Sequence, residues 1–186
     1  MTARSASPAT WVALLRGINV GGRNIIRMAE LRNRFEAEGF REVLTYIQSG
    51  NVIFRAAGST PGALTVRIEE MLAAAFNYRA KVVLRSRQQV EAVVAGAPAG
   101  FGSQPDRYRY DAIFLRDTLA AEDAMRQVLV RPGVDAAWGG EGVLYFSRLI
   151  SQASRSYLSR LASMPVYQDM TIRNWNTTTR LLQLMS

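Results

Sequence analysis

The stretch LRGINVGGRN, residues 15–24, decides how the first part of this chain folds. It lies at the end of an apolar run from Trp11 to Ile18, which has the length and composition of a β-strand. Helical spacing begins soon after it, at Met28. Glycines permit positive φ and close approach, and unpaired N–H groups at a helix start point toward a ligand. Strand, glycine turn and helix together predict a site for an anion.

The segments that follow predict a ferredoxin-like unit. Apolar spacing and Gly39 indicate a helix from Met28, and two short strand patterns surround a turn at residues 48–51. An amphipathic helix then begins after Pro61-Gly62 and a further strand follows it. The order is βαββαβ, the order of the ferredoxin-like fold, over helices 28–39 and 64–76 and strands 11–18, 43–47, 52–54 and 80–84.

The second half predicts a related order of elements without a repeat in the sequence. Ser86 and Gln89 form a capping box for a helix, and a hairpin is expected around Gly139–Gly142. The predicted elements are strands 108–115, 134–138 and 143–146, a short extended segment at 170–173, and helices 119–130, 154–164 and 177–185. We therefore expect an α+β protein with a loose tail at 1–10, a ferredoxin-like subdomain at 11–85, and a second β-α-hairpin-α subdomain at 86–186 packed on the first.

Composition restricts the chemistry. The 186 residues include no cysteine and no histidine, which excludes disulfides, thiolate nucleophiles, serine–histidine triads and most zinc sites. No metal and no cofactor are predicted. The tail lacks the apolar core of a signal peptide and no run is long enough to span a membrane, so a cytoplasmic protein is expected.

The net charge of +8 is typical of proteins that attract polyanions such as nucleic acid. Lys81 is the one lysine, however, and the arginines are scattered along the chain rather than clustered. A binding function and a compositional bias both explain that pattern.

Residues 17–24 read G-x-x-x-x-G-R-N, close to the P-loop pattern G-x-x-x-x-G-K-[ST]. Arg23 and Asn24 replace the lysine and the metal-binding hydroxyl, and the strands that follow do not predict a parallel sheet. A simpler phosphate or carboxylate cradle and a purely structural turn remain the two alternatives.

The turn at Gln48-Ser49-Gly50-Asn51 has residues that hairpins favour for local reasons, although a hairpin does not require the glutamine. Antiparallel pairing is expected to place Asn19 and Asn51 at opposite ends of the sheet, with Arg16 closer to Gln48. The sequence leaves this arrangement open.

The segment Arg173-Asn174-Trp175-Asn176 precedes the last helix. In one interpretation, Trp175 is a core anchor and Asn176 is the N-cap. In the other, Arg173 and Asn174 complete a site that Arg16 and Asn19 begin.

Sheet-based RNA recognition requires exposed aromatic residues on the two central strands. In the first half, the strand at 11–18 is apolar on both faces, which indicates that both are covered. This pattern argues against an open stacking platform there.

Four motifs in order resemble the bacterial domain-of-unknown-function family 1697. They are VALLRGINVGG at 12–22, MAEL at 28–31, TYIQSGNV at 45–52 and RNWNT at 173–177. The resemblance extends over nearly the whole chain from Trp11. It implies an α+β fold with a ferredoxin-like subdomain, and it implies no activity.

Together these patterns predict binding of an anionic ligand, either a phosphate-bearing small molecule or nucleic acid, at the glycine turn. The arginines would supply charge, and the amides and turn N–H groups would orient the ligand. One alternative is an enzyme in which Glu30 or a nearby carboxylate acts as base beside an arginine clamp, and another is a structural or partner-binding protein. The predicted ligand-binding residues are Arg16, Gly17, Asn19, Gly21, Gly22, Arg23, Gln48, Ser49, Asn51, Arg173, Asn174, Trp175 and Asn176.

Overall fold

The computed structural model describes residues 8–19 and 24–186. The chain divides into two compact units, one of residues 1–89 with 181–186 and one of residues 90–180. The sequence placed the boundary at residues 85/86 and assigned the last six residues to the second subdomain. The first strand begins at Ala9, two residues earlier than predicted.

The first unit has the predicted βαββαβ element order. Its four-stranded sheet has the order β2-β3-β1-β4 with every neighbouring pair antiparallel, an arrangement consistent with a ferredoxin-like fold. The elements are β1 (Ala9–Leu15), α1 (Met28–Ala37), β2 (Arg41–Tyr46), β3 (Asn51–Ala56), α2 (Pro61–Phe76) and β4 (Val82–Ser86).

Strand β1 is buried on both faces. Alternate residues of a strand point to opposite sides of the sheet, and all four residues from Val12 to Leu15 are 0% exposed. Ala13 and Leu15 belong to the core that α1 and α2 complete with Phe35 and Ile68. The sheet therefore offers no open aromatic platform along this strand, as its apolar pattern indicated.

The capping box predicted at Ser86 is present. Ser86 N–H donates to Gln89 Oε1 at 2.8 Å, and Gln89 N–H donates to Ser86 Oγ at 3.2 Å. It starts helix α3 (Arg87–Ala95), which leads into the second unit.

The second unit repeats the topology of the first. Its sheet has the order β6-β7-β5-β8, again with antiparallel neighbours, and the segment predicted only as extended at 170–173 is the edge strand that completes it. Its main elements are β5 (Tyr108–Leu115), α4 (Ala121–Gln127), β6 (Asp135–Gly140), β7 (Val143–Leu149), α5 (Leu158–Leu161), β8 (Met170–Asn174) and α6 (Trp175–Leu184).

Equivalent hydrogen bonds support this repeat. Leu15 N–H donates to Gly50 O at 2.8 Å at the end of β1, and Leu115 N–H donates to Gly142 O at 3.0 Å at the end of β5. Each unit thus joins the end of its first strand to the turn before its third strand in the same way.

Two helices differ from their predictions. The helix expected at 154–164 is replaced by a 3₁₀ segment at Ile150–Arg155, the single turn α5 and a second 3₁₀ segment at Pro165–Asp169. Ser156 interrupts it because its backbone is extended and its hydroxyl accepts from Leu158 N–H. Helix α4 ends before the predicted 130 because Val128 is extended.

Candidate functional site

The end of β1 and the β2–β3 turn lie at one edge of the first sheet. The register pairs Leu14 with Asn51, and Asn19 Nδ2 donates to Gln48 O at 2.9 Å. The expectation that Asn19 and Asn51 lie at opposite ends was wrong, because antiparallel pairing brings the end of one strand beside the start of its neighbour. We call this region, formed by residues 16–19, 24–27, 47–50 and 78–81, the glycine-turn edge.

The side chain of Asn19 connects three chain segments at this edge. Its Oδ1 accepts from Ile26 N–H at 2.8 Å, and its Nδ2 donates to Ile26 O at 3.0 Å as well as to Gln48 O. The backbone of Asn19 also donates to Asn24 O at 3.1 Å, and Asn24 Nδ2 donates to Gly17 O at 2.9 Å. The two described ends of the glycine-rich segment are therefore bound to each other and to the neighbouring turn.

Asn51 supports the same edge from inside. It is 0% exposed, and its Nδ2 donates to Tyr46 O at 2.9 Å and to Ser49 Oγ at 3.1 Å. Two of the predicted ligand-binding residues, Asn51 and Ser49, thus hold the turn in shape, while Gln48 is exposed beside them.

Unusual backbone conformations are concentrated at this edge. Five non-glycine residues among those described have positive φ, and three of them, Asn19, Asn24 and Ile47, lie here at 53°, 49° and 49°. For a β-branched residue such as Ile47 this conformation is a real strain. Strained backbone of this kind is concentrated at functional sites.

Basic side chains accompany these loops. Arg16 is half-buried at the end of β1, and the segment before β4 adds exposed Arg79 and half-buried Lys81. The Tyr78 hydroxyl donates to Arg16 O, and burial raises the pKa of that phenol. No pattern in the sequence predicted the contribution of residues 78–81, because only the pairing of β4 with β1 brings them to Arg16.

Three predicted residues, Gly21, Gly22 and Arg23, lie outside the described residues. Gly17 is exposed with φ of 70°. Glu30, the carboxylate suggested as a base, lies exposed in the first turn of α1.

The predicted residues of the second unit have local partners. Arg173 is only 6% exposed, and its Nη1 donates to Thr171 Oγ1 and to Ile172 O, both at 2.9 Å. Burial lowers the pKa of its guanidinium to about 10, and Tyr167 opposes that shift. A single site uniting Arg16 and Asn19 with Arg173 and Asn174 stays a prediction.

The N-cap of the last helix is Asn174 rather than Asn176. Helix α6 begins at Trp175, and Asn174 Oδ1 accepts from Asn176 N–H at 3.0 Å. The prediction was two residues late because β8 leads directly into the helix. Trp175 packs edge-on against Phe101 with ring centroids 5.0 Å apart, which is an anchoring role.

A carboxylate beside arginines is present in the second unit. Asp111 is 5% exposed, and its Oδ2 lies 3.3 Å from Arg148 Nη2. Burial raises the pKa of the Asp111 carboxyl, and the guanidinium groups of Arg148 and Arg109 partly offset the effect. A carboxylate beside arginines is the combination that the enzyme alternative requires, but here the carboxylate is Asp111 rather than Glu30.

Asp111 is expected to make stability fall as pH rises. Its folded-state pKa is raised, so the folded chain binds this proton more tightly than the unfolded chain. Its contribution is most favourable below the ordinary carboxyl pKa and is lost as pH rises through the raised value. Urea denaturation of wild type and Asp111→Asn from pH 3 to 7 should show the wild type losing stability relative to the variant; a constant difference would contradict the assignment.

Among the described residues, no group of three or more acidic side chains is placed to hold a metal ion. None of the helices within residues 8–19 and 24–186 is long and apolar enough to cross a membrane.

Two repeated sheet units and a loop-built polar edge define an α+β protein. The family model described as "Protein of unknown function (DUF1697)" matches residues 9–145, and this chain belongs to that family. A similar solved structure is that of the conserved bacterial protein SP0830 from Streptococcus pneumoniae. It is 27% identical with a TM-score of 0.83, over 97% of this chain and 100% of that chain. No curated protein matches this sequence.

Proposed function

We propose that this protein binds an anionic ligand, a phosphate-bearing small molecule or nucleic acid, at the glycine-turn edge. The observation that carries the proposal is the strained backbone at Asn19, Asn24 and Ile47, held by side-chain hydrogen bonds from Asn19, Asn24 and Asn51. Rigid, strained loops of this kind are typical of preorganised binding sites.

The charge at the edge matches an anion. Arg16, Arg79 and Lys81 surround the end of β1 and the start of β4, and the net charge of the chain is +8. In this proposal Arg16 and Lys81 supply the charge and exposed Gln48 orients the ligand. The glycine-rich segment 20–23 enters the proposal from the sequence alone. Arg173 and Asn174 are left out because their described hydrogen bonds support β8 and α6.

The proposal predicts that Arg16→Ala weakens anion binding. The probes are pyrophosphate, followed by calorimetry, and a fluorescein-labelled single-stranded oligonucleotide of about 12 nucleotides, followed by anisotropy at increasing salt. Loss of one charge-assisted contact corresponds to about 10- to 100-fold weaker affinity. If the ligand is nucleic acid, the slope of log K against log salt should also fall by about 0.7, the value for one phosphate contact.

Arg41→Ala is the matched control. Arg41 is exposed at the start of β2, whereas the glycine-turn edge lies at the end of that strand. Arg41→Ala therefore removes the same charge as Arg16→Ala, but at the opposite edge of the sheet. Saturable binding that Arg16→Ala weakens and Arg41→Ala leaves within about twofold supports the site. Equal losses in both variants, or no binding of either probe at low salt, would overturn it.

One observation favours partner binding as a second candidate. Ile25 is 74% exposed and Ile47 is 47% exposed, and the hydrogen bonds of Asn19 to residues 26 and 48 bring their segments together. Exposed isoleucines beside a polar site are typical of a surface that contacts a larger partner.

A further inference from the structure

The second unit contains a pocket framed by aromatic rings on the face of its sheet opposite the core that contains Ile113 and Phe146. On the same face, the Tyr145 hydroxyl donates to Val93 O of helix α3. The cavity has a volume of about 230 Å³ and is lined by Phe101, Tyr108, Tyr110 and Trp138, together with Ser147 and residues 98–100. We call it the aromatic pocket. All of its lining residues belong to residues 90–180.

Strand alternation creates this face. In β5, Ile113 and Leu115 point into the core, so Tyr108 and Tyr110 point to the other side. The register places Ser147 of β7 beside Tyr110 and Ala136 of β6 beside Ser147. Two central strands and one edge strand therefore present their side chains to the same cavity.

The loop that follows α3 closes one side of the pocket. Phe101 packs edge-on against Tyr110 and Trp138, with ring centroids 4.8 Å and 6.0 Å apart. Gly102, at φ of 85°, lets the loop approach Trp175, since a Cβ there would lie 2.7 Å from the indole. The aromatic walls are thus fixed by packing before any ligand arrives.

We infer that the aromatic pocket binds a nucleobase. Aromatic side chains on the central strands of a four-stranded βαββαβ sheet are the platform on which proteins stack bases. The cavity is smaller than the roughly 300–1,000 Å³ of pockets for drug-sized ligands, which suits one flat ring system rather than a whole nucleotide. Trp138 is 40% exposed, so a ring can reach its face.

Polar groups and charge favour a base over an aliphatic side chain. The Ser147 hydroxyl lies in the lining, where it can donate to or accept from a base edge. Exposed Arg107 covers Tyr108 with its guanidinium carbon 5.3 Å from the ring centroid, which places a cation at the rim, where the sugar-phosphate of a bound base would emerge. None of the lining residues of the aromatic pocket belongs to the glycine-turn edge, and the inference does not depend on the proposed function.

The test titrates the full-length protein with adenosine, with adenosine monophosphate and with ribose 5-phosphate, followed by calorimetry and tryptophan fluorescence. Adenosine has the base but no phosphate, whereas ribose 5-phosphate has the phosphate but no base. The two probes therefore separate base binding from anion binding. We expect adenosine to bind and to quench Trp138. Tyr110→Leu and Trp138→Leu should each weaken it by about 5- to 100-fold, the range for loss of one stacking partner.

Tyr157→Leu is the control, because Tyr157 belongs to the same unit but its ring lies against Arg131 and Arg160. Its N–H donates to Asp135 Oδ2, and the side chain of Asp135 lies on the opposite side of β6 from Ala136. The adenosine affinity of Tyr157→Leu should match wild type within about twofold, and circular dichroism checks that each variant is folded. No heat and no quenching with adenosine, or equal weakening in all three variants, would overturn the inference.

The two proposals fail separately. Adenosine binding without ribose 5-phosphate binding would support the aromatic pocket while counting against the glycine-turn edge, and the reverse result would do the opposite. A labelled single-stranded oligoadenylate that binds far more tightly than adenosine monophosphate would identify nucleic acid, rather than a free nucleotide, as the source of the base.

Discussion

Gly50→Ala is expected to lower the free energy of unfolding by about 2–4 kcal/mol. Gly50 has φ of 78°, which costs an L-residue about 1–2 kcal/mol. A Cβ there would also lie 2.7 Å from Ile18 Cδ1 and 2.8 Å from Leu15 Cβ. Both side chains are buried in the first core, so neither moves freely, and overpacking of this kind costs about 1–3 kcal/mol.

Gly58→Ala separates the two causes. Gly58 has nearly the same φ, 73°, but nothing lies within 4 Å of a Cβ built on it. Gly58→Ala should therefore lower the free energy of unfolding by only about 1–2 kcal/mol, because the backbone conformation alone opposes the methyl group. Urea denaturation followed by far-ultraviolet circular dichroism measures both variants. Equal losses would show that a methyl group at residue 50 is accommodated against Ile18 and Leu15 without cost.

Local patterns predicted most of the fold. Helix α2 and strand β5 begin and end almost where hydrophobic spacing predicted them. The helix buries one face in the core, and residues 111–115 of β5 are buried on both faces. The helix predicted at 154–164 was wrong, although the apolar residues there have helical spacing. Ser156 and Pro165 divide those residues among several short turns. The sequence predicted a related order of elements in the second half but contained no repeat of residues, since the same sheet can be built from different apolar residues.

The candidate site was less predictable, because strand pairing rather than chain order decides which residues meet. Gln48 and Asn19 are 29 positions apart in the sequence, yet their contact follows from the antiparallel register of β1 and β3. The asparagines were predicted to face a ligand, whereas Asn19 and Asn51 satisfy backbone groups. A sequence motif indicates that such a residue has a role, but it does not distinguish an asparagine that binds a ligand from one that stabilises a loop.

The aromatic pocket was missed for a different reason. Strand β1 of the first sheet carries no alternating aromatic pair, whereas Tyr108 and Tyr110 alternate in β5 of the second sheet. Trp138 and Phe101 join them only through the β6–β7 register and the loop at 98–105. Alternating tyrosines in a strand of the second half were the one available signal.

Asn19→Ala is expected to lower the free energy of unfolding by about 2–4 kcal/mol and to reduce anion binding. The substitution removes three hydrogen bonds at 2.8–3.0 Å, each contributing about 1 kcal/mol. It also places alanine at φ of 53°, a conformation that asparagine tolerates better. Because those bonds join residue 26 and the turn at Gln48 to the end of β1, their loss should leave the binding loops less ordered.

Asn24→Ala provides the comparison, since Asn24 has φ of 49° but its exposed side chain makes one described hydrogen bond, to Gly17 O. It should lose about 1–2 kcal/mol. Urea denaturation gives both stabilities, and calorimetry with pyrophosphate gives the affinity of each folded variant. In Asn19→Ala the ligand itself would have to order these loops, and the free energy of that ordering would be subtracted from the binding free energy. Pyrophosphate affinity should therefore fall more in Asn19→Ala than in Asn24→Ala, in the same order as stability. Unchanged pyrophosphate affinity in a destabilised Asn19→Ala would mean that the asparagine maintains the fold and that the anion binds elsewhere.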